Sequence, residues 1–206
     1  MESTLYADAD QPGLKLIETM YWDGARARHW PLHLARLQAG ARALGWPCPE
    51  PDVTGPAHPA RLRLTLDAGG RLDVETHPLP PVATHWHVGL AQQRLCSVDP
   101  WLRIKSTRRA IYDTARAALP AGLDELILLN ERDEVCDGTI TTVFFDRGDG
   151  LRTPPLSAGL LPGVLRAALD CPEETLSASD LPHVQLWVGN ALRGLIPASF
   201  VGGGEG

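Results

Sequence analysis

The spacing of apolar positions divides the first hundred residues into strands and one helix. Residues 14–22, LKLIETMYW, alternate loosely and are rich in β-forming side chains, and the DGAR that follows predicts a turn. Leucines and alanines recur at helical spacing over 31–45, which opens on proline and closes on glycine, so a helix is predicted there. Two alternating runs joined by DAGG predict a β-hairpin over 61–76, and 84–91 predicts another strand.

The second half of the chain is predicted to contain more strands. Residues 107–119 place apolar side chains on one face of a predicted helix. Residues 124–130 and 139–146 are β-forming runs bounded by turn sequences, which predicts an antiparallel meander with a buried face. A further helix is predicted to begin within 161–163, and 184–190, VQLWVGN, predicts another buried strand.

A stretch without clear periodicity, residues 92–106, separates these two halves. A chain of 206 residues can hold one large domain or two small ones. We therefore expect two lobes, a small one over residues 1–100 and a larger one over 101–206. The glycine-rich end GGGEG, 202–206, is expected to be disordered.

Composition and charge narrow the class of protein. With 44% hydrophobic and 21% charged residues, the chain has the composition of an ordinary globular protein. A net charge of -6 disfavours nucleic-acid binding, which needs a basic surface. No apolar run reaches the roughly 18 residues that span a bilayer, and the first ten residues are acidic. We expect a cytoplasmic protein with no nucleic-acid or membrane partner.

Cysteine and histidine spacing gives little sign of a metal site. The four cysteines lie far apart with no C-x-x-C pair, so free thiols are expected rather than disulfides or zinc ligands. His85 and His87 could share one strand face as metal ligands. No partner motif accompanies them, and no metal is expected.

The segment LLPGVLR, residues 160–166, could form an anion-binding helix start. The first amides of a helix lack partners inside the helix, and a glycine among them lets a phosphate approach the backbone closely. The alternative is that Pro162 is a first-turn residue and Gly163 a packing glycine.

Lys105 is a candidate nucleophile, because it lies among Arg103, Arg108 and Arg109 in sequence. Neighbouring cations or partial burial make a lysine lose its proton more easily, and a neutral amine attacks carbonyls. The alternative is a solvated basic surface at a helix start.

Asp137 precedes a run of β-branched and aromatic residues, so its carboxylate is a candidate for burial beside a partner. The alternative is a turn aspartate ahead of Gly138. A phosphate site, a nucleophilic lysine and a partnered carboxylate are together the three protein groups that pyridoxal phosphate requires.

The order of the motifs resembles that of the class IV aminotransferases, and within them most closely the 4-amino-4-deoxychorismate lyases. The resemblance covers nearly the whole chain, and it is carried by IETM (17–20), HLARL (33–37), KSTRRAIYD (105–113), NERDEVCDGTITTVFF (130–145), TPPLSAGLLPGVLR (153–166) and GNALRG (189–194). It implies an α+β fold with a small N-terminal α/β lobe and a larger β-rich C-terminal lobe. It also implies a homodimer that binds pyridoxal phosphate in the cleft between the lobes.

The resemblance assigns roles to matching positions. Lys105 looks like the lysine that binds the cofactor aldehyde, and Arg36 like the arginine that reaches its phosphate. Asp137 falls where the family has a glutamate facing the pyridine nitrogen. The other implied cofactor-binding positions are Gly163, Val164, Leu165, Asn190 and Ala191.

Some matched positions depart from the family pattern. Asp137 is shorter than glutamate by one C–C bond, about 1.5 Å. The residues TT at 141–142 and Ala191 also differ, and Ala191 replaces a serine hydroxyl. Each neutral hydrogen bond contributes about 1 kcal/mol, so these departures predict weaker cofactor binding.

The resemblance implies cleavage of 4-amino-4-deoxychorismate to 4-aminobenzoate and pyruvate, for folate synthesis. Lys105 and Asp137 would be catalytic, and Arg103, Arg108 and Arg109 are candidates for the substrate carboxylates. Two alternatives stay open. One is an aminotransferase for a branched-chain or D-amino acid, and the other is a non-catalytic relative with weakened cofactor binding.

Overall fold

The computed structural model describes residues 8–202. These residues form two compact units, residues 8–81 with Arg103–Arg108, and Val82–Leu102 with residues 109–202. The glycine-rich end lies outside the described residues from 203 onward. Within the described part of the chain, no helix is long and apolar enough to cross a membrane.

The first unit contains a three-stranded antiparallel sheet in the order β1-β2-β3. The strands are β1 (Lys15–Trp22), β2 (Ala60–Asp67) and β3 (Leu72–His77). Side chains two residues apart on a strand share a face. Alternate leucines of β2 are therefore fully buried on one face, namely Leu62, Leu64 and Leu66.

Helix α1 (Trp30–Leu44) follows the turn after β1. Pro31 lies in its first turn, and the chain leaves it at Gly45 with φ 70°, a left-handed conformation that favours glycine. The segment Arg103–Arg108 returns to this unit because its backbone bonds to β1, with the Ile17 N–H donating to the Lys105 carbonyl at 2.9 Å.

The second unit is built on a closed six-stranded barrel. Its strands are β4 (Trp86–Leu95), β5 (Glu125–Asn130), β6 (Val135–Gly138), β7 (Thr142–Asp146), β8 (Gln185–Asn190) and β9 (Gly194–Phe200). β4 pairs in parallel with both β5 and β9 and so closes the barrel, whereas the other pairs are antiparallel. The predicted antiparallel pairing is confirmed in part, because the unpredicted strand β6 lies between β5 and β7 and pairs with both.

Helices α2 (Ala110–Ala117) and α3 (Val164–Leu169) complete the second unit. Three short 3-10 helices span Pro100–Arg103, Leu156–Ala158 and Ala178–His183. Two clusters of buried apolar side chains form the core, one of them centred on Val88, Ile127, Val143, Phe145 and Val188. The α+β fold class is confirmed.

Several boundaries differ from the predicted ones. Residues 82–100 were assigned to the N-terminal lobe, but β4 pairs with β5 and β9 in the barrel and lies in the second unit. The strand predicted over 139–146 begins only at Thr142, because residues 139–141 bend around a buried carboxylate. Strand β9 was not predicted, and it contains Pro197, which interrupts a strand pattern.

Candidate active site

Lys105 occupies a fixed position in the first unit. Backbone bonds on both sides of it, from Ile17 to the Lys105 carbonyl and from Thr107 to the Lys15 carbonyl, hold the segment against β1. The Lys105 side chain is half-buried, and its neighbours Ile104 and Ser106 are buried. A lysine in this position has the partial burial that was predicted for a nucleophile.

Arg36 lies on α1 and is bound by a carboxylate of β1. Glu18 is 1% exposed, and its two oxygens accept hydrogen bonds from Arg36 Nε at 2.8 Å and Arg36 Nη2 at 2.6 Å. His33, one helical turn earlier and fully buried, lies with Nδ1 2.6 Å from Glu18 Oε2. A strand carboxylate thus fixes the guanidinium through two of its nitrogens.

The electrostatics of this cluster favour an ionised Glu18. Burial alone would raise the pKa of Glu18, but the Arg36 charge and the hydrogen bonds from Arg36 and His33 outweigh it and hold the pKa below its usual range. The sequence reasoning singled out Arg36 and missed Glu18 and His33. Glu18 lies in the motif IETM and His33 in the motif HLARL. His33 could have been linked to Arg36 from the sequence, because residues three apart share a helix face.

Asp137 lies at the end of β6 in the second unit and is 4% exposed. Its Oδ2 accepts a hydrogen bond from the Leu161 N–H at 2.8 Å. Burial, and next the charge of Asp137, raise the pKa of both the Tyr112 hydroxyl and the Cys136 thiol. Asp137 is therefore a buried acceptor beside two groups that stay protonated at neutral pH.

The start of α3 is shaped by Gly163. A Cβ at Gly163 would come within 2.7 Å of the Thr142 Oγ1, so a larger residue at 163 would force the Thr142 side chain to move. No side chain of the described residues caps this helix start.

Val164 and Leu165, the next two residues, are buried. A Cβ on Gly189 would meet the Leu165 side chain at 2.8 Å, so Leu165 packs against β8.

Asn190 and Arg109 both bind the turn between β6 and β7. Asn190 Nδ2 donates to the Ile140 carbonyl at 3.0 Å, and Arg109 Nη2 donates to the Thr139 carbonyl at 2.9 Å. Arg109 also pairs with Asp113 at 2.7 Å. Ala191, next to Asn190, is buried. A phosphate or carboxylate ligand would have to compete with these protein contacts for either side chain.

The three arginines predicted for substrate carboxylates do not lie together in one unit. Arg103 and Arg108 are exposed residues of the first unit, and Arg108 pairs with Asp8 at 2.5 Å. Arg109 belongs to the second unit.

Two other features of the described residues contain no predicted site residue. A groove of about 570 Å³ in the first unit is lined mainly by the turn and helix start between Trp22 and Pro31. His85 Nε2 lies 2.9 Å from the Ser199 hydroxyl, and His87 Nδ1 lies 3.8 Å from Asp124. Within the described range, no group of three His, Cys, Asp or Glu side chains is arranged to hold a metal.

The second unit has features that fit pyridoxal phosphate. Asp137 supplies a buried carboxylate of the kind that a protonated ring nitrogen needs. Gly163 leaves a small space at the start of α3, beside the Thr142 hydroxyl. Within the described residues the helix start has no side-chain cap, and a phosphate oxygen binds to such free N–H groups. The Thr142 hydroxyl lies beside Gly163, although residue 142 departs from the family pattern.

Comparisons with known proteins agree with this fold. A family model described as amino-transferase class IV matches residues 15–201. The chain therefore belongs to the class IV aminotransferases, a family of pyridoxal-phosphate-dependent lyases and aminotransferases.

Among individual proteins, the chain is 43% identical to a putative amino-acid aminotransferase of known structure from Mesorhizobium loti, with a TM-score of 0.87 over 91% of this chain and 100% of that one. It is 29% identical over 167 residues to a putative aminodeoxychorismate lyase from Schizosaccharomyces pombe, covering 75% of this chain and 72% of that one. The structure of 4-amino-4-deoxychorismate lyase from Pseudomonas aeruginosa shares the fold, with a TM-score of 0.74, 22% identity, and coverage of 90% of this chain and 82% of that one.

Proposed function

We propose that this protein binds pyridoxal phosphate and cleaves 4-amino-4-deoxychorismate to 4-aminobenzoate and pyruvate, a step of folate synthesis. The observation that supports it most is the buried Asp137 carboxylate, anchored by the Leu161 amide close to the glycine start of α3. The S. pombe relative, whose name is that of a putative lyase of this kind, supports the same reaction.

Each proposed role follows from the chemistry of its side chain. When bound, the cofactor would take up the electrons of the substrate bonds that are broken in the reaction. Lys105 would hold the cofactor aldehyde until the substrate amine replaces it, and its freed amine would then take the proton from the amine-bearing carbon of the substrate as general base. Asp137 holds a proton at the pyridine nitrogen, because its charge favours the protonated ring.

The phosphate is proposed to bind at Arg36 and at the backbone amides of Gly163 and Val164. Arg36 supplies a charge that Glu18 already orients, and charged hydrogen bonds to phosphate are stronger than neutral ones. The Thr142 hydroxyl is a further donor at the same helix start. We also propose a homodimer as the working form.

Cofactor binding is the first test. Addition of pyridoxal phosphate should give purified protein a visible absorbance band, and borohydride reduction should attach the cofactor to the peptide that contains Lys105. The chain has only two lysines, so Lys15→Ala is a matched control that should keep the band. Lys15 lies 3.8 Å from Asp73 in a partly exposed pair. A band that persists in Lys105→Ala would contradict the assignment of Lys105.

The fate of the substrate amine distinguishes a lyase from an aminotransferase. A lyase should release pyruvate from 4-amino-4-deoxychorismate without an added keto acid. An aminotransferase is the second candidate, favoured by the 43% identity to the M. loti protein named as a putative amino-acid aminotransferase. Bleaching of the band by L-leucine, L-glutamate or D-alanine, reversed by a keto acid and without pyruvate from the chorismate derivative, would replace the lyase with the aminotransferase.

A further inference from the structure

Glu125 is a fully buried carboxylate at the start of β5. Its Oε1 accepts hydrogen bonds from the Thr139 N–H at 3.1 Å and from the Thr139 hydroxyl. Its Oε2 accepts from the Ile140 N–H at 3.2 Å and from the Thr141 hydroxyl at 2.9 Å. Three consecutive residues therefore direct their donors at one side chain.

These residues form the turn that joins β6 to β7, which we call the 139–141 turn. The Gly138 N–H donates to the Thr141 carbonyl at 2.7 Å and closes it. A Cβ at Gly138 would lie 2.3 Å from the Thr141 Oγ1 and 2.9 Å from Glu125 Oε2. The backbone thus wraps around the carboxylate with no room for a larger residue at 138.

The residues that flank the 139–141 turn belong to the proposed site. Asp137 and Thr142 are paired across the hairpin. Asp137 accepts from the Leu161 amide, and Thr142 lies against Gly163. A shift of the turn would therefore move the carboxylate and the hydroxyl together.

A carboxylate group fits the donors of this turn. It accepts from all of these donors at once, whereas the amide of glutamine would turn a donor group toward other donors. Arg116 lies 3.3 Å from Glu125 and offsets part of the cost of burying the charge. The donors of the turn and the Leu126 N–H, which donates to Oε1 at 3.0 Å, offset a further part, so the shape of the turn depends on the carboxylate.

We infer that Glu125 is a positioning residue, whose carboxylate sets the 139–141 turn and through it the positions of Asp137 and Thr142. The part of this inference that concerns the cofactor rests on the proposed function. The part that concerns geometry does not, since the Leu161 amide reports the position of Asp137 in protein without cofactor.

The first experiment compares Glu125→Gln with Leu95→Ala by amide hydrogen exchange. Leu95 is a buried core residue of the same unit whose side chain offers no hydrogen bond, so it controls for a general loss of stability. We expect the Leu161 amide to exchange at least about tenfold faster in Glu125→Gln than in Leu95→Ala at matched melting temperature. Equal exchange in the two variants would overturn the inference, whether or not the protein binds pyridoxal phosphate.

The second experiment follows the isotope-labelled ring nitrogen of bound pyridoxal phosphate by NMR. We expect Glu125→Gln to shift this resonance toward the deprotonated form and to lower kcat about tenfold or more, with a smaller change in KM. Leu95→Ala should move neither quantity. An unchanged nitrogen resonance and kcat in Glu125→Gln contradict a positioning role, whereas failure of the wild-type protein to bind the cofactor contradicts the proposed function alone.

A milder pair of variants covers the case in which Glu125→Gln does not fold. Thr141→Val removes one donor to Glu125 Oε2, and Thr141→Ser keeps it. We expect Thr141→Val to speed Leu161 exchange and Thr141→Ser to behave as wild type. Identical behaviour of the two variants would count against the inference.

Discussion

Arg36 and Glu18 form a two-point ion pair in the first unit, with Nε to Oε1 at 2.8 Å and Nη2 to Oε2 at 2.6 Å. Glu18 is 1% exposed and Arg36 12% exposed on their side chains. The pair therefore lies where an uncompensated charge is costly. It sets both the stability of this unit and the orientation of the arginine that we assign to the phosphate.

Replacement of Arg36 by methionine should destabilise the protein by about 3 kcal/mol, because it leaves Glu18 buried without its guanidinium partner. The double variant Glu18→Gln/Arg36→Met should lose less than the sum of the two single variants, as measured by urea unfolding. Arg26→Met, at an exposed pair with Asp23, is the matched control and should unfold like wild type. Additive losses would show that Glu18 and Arg36 act independently.

The same pair predicts how stability depends on pH. The pKa of Glu18 is lowered from its usual value of 4.5 by Arg36 and His33, against the opposing effect of burial. Its stabilisation is thus fully present above about pH 4.5 and is lost as the pH falls through the lower folded-state pKa. The stability difference between wild type and Glu18→Gln, measured by urea unfolding from pH 7 to pH 3, should shrink toward the acid end. A stability difference that grows as the pH falls would contradict the lowered pKa of Glu18.

Asp137→Asn should lower turnover far more than stability. The asparagine oxygen can still accept from the Leu161 amide, so the local fold is kept, but an amide carries no charge to hold a proton on the pyridine nitrogen. We expect kcat to fall about 10²-fold. Steady-state kinetics and thermal unfolding check this prediction together, and an unchanged kcat would leave Asp137 as a structural residue only.

Gly163→Ala should weaken cofactor binding, because the added Cβ would come within 2.7 Å of the Thr142 hydroxyl at the helix start. The backbone at Gly163, with φ -66°, accepts an alanine without strain, so the effect should come from crowding alone. The apoprotein would be titrated with pyridoxal phosphate and with pyridoxal, which has no phosphate. We expect the loss only for the phosphorylated form, and a partial recovery of affinity in Gly163→Ala/Thr142→Ala.

Arg109→Gln distinguishes a substrate ligand from a structural residue. Because the guanidinium donates to the Thr139 carbonyl, we expect reduced stability and reduced kcat with little change in KM. Arg108→Gln, which removes a partly exposed pair with Asp8, serves as the comparison and should retain wild-type stability. A large rise in KM at unchanged stability would instead support contact of Arg109 with a substrate carboxylate.

The sequence was sufficient for most of the helices and strands and for naming candidate site residues. Most helices and strands were predicted from the spacing of apolar side chains, which reports local burial directly. Lys105, Asp137 and Gly163 were named as candidates because a lysine among cations, a carboxylate before an apolar strand and a glycine at a helix start are local patterns. Strand β9 was missed since Pro197 interrupts the pattern, and only pairing with β8 and β4 defines it.

What the sequence by itself determined is therefore which residues are apolar, which can carry charge, and which segments can be helix or strand. The tertiary structure decided the partners, because hydrogen bonds between residues far apart in the chain depend on how the strands are paired. Glu18 is 18 residues from Arg36, and Glu125 is 14 to 16 residues from the three turn residues that it binds. A buried charge is tolerated only where donors surround it. Closure of the barrel and packing of α1 on β1 provide those donors, and no local pattern in the sequence specifies them.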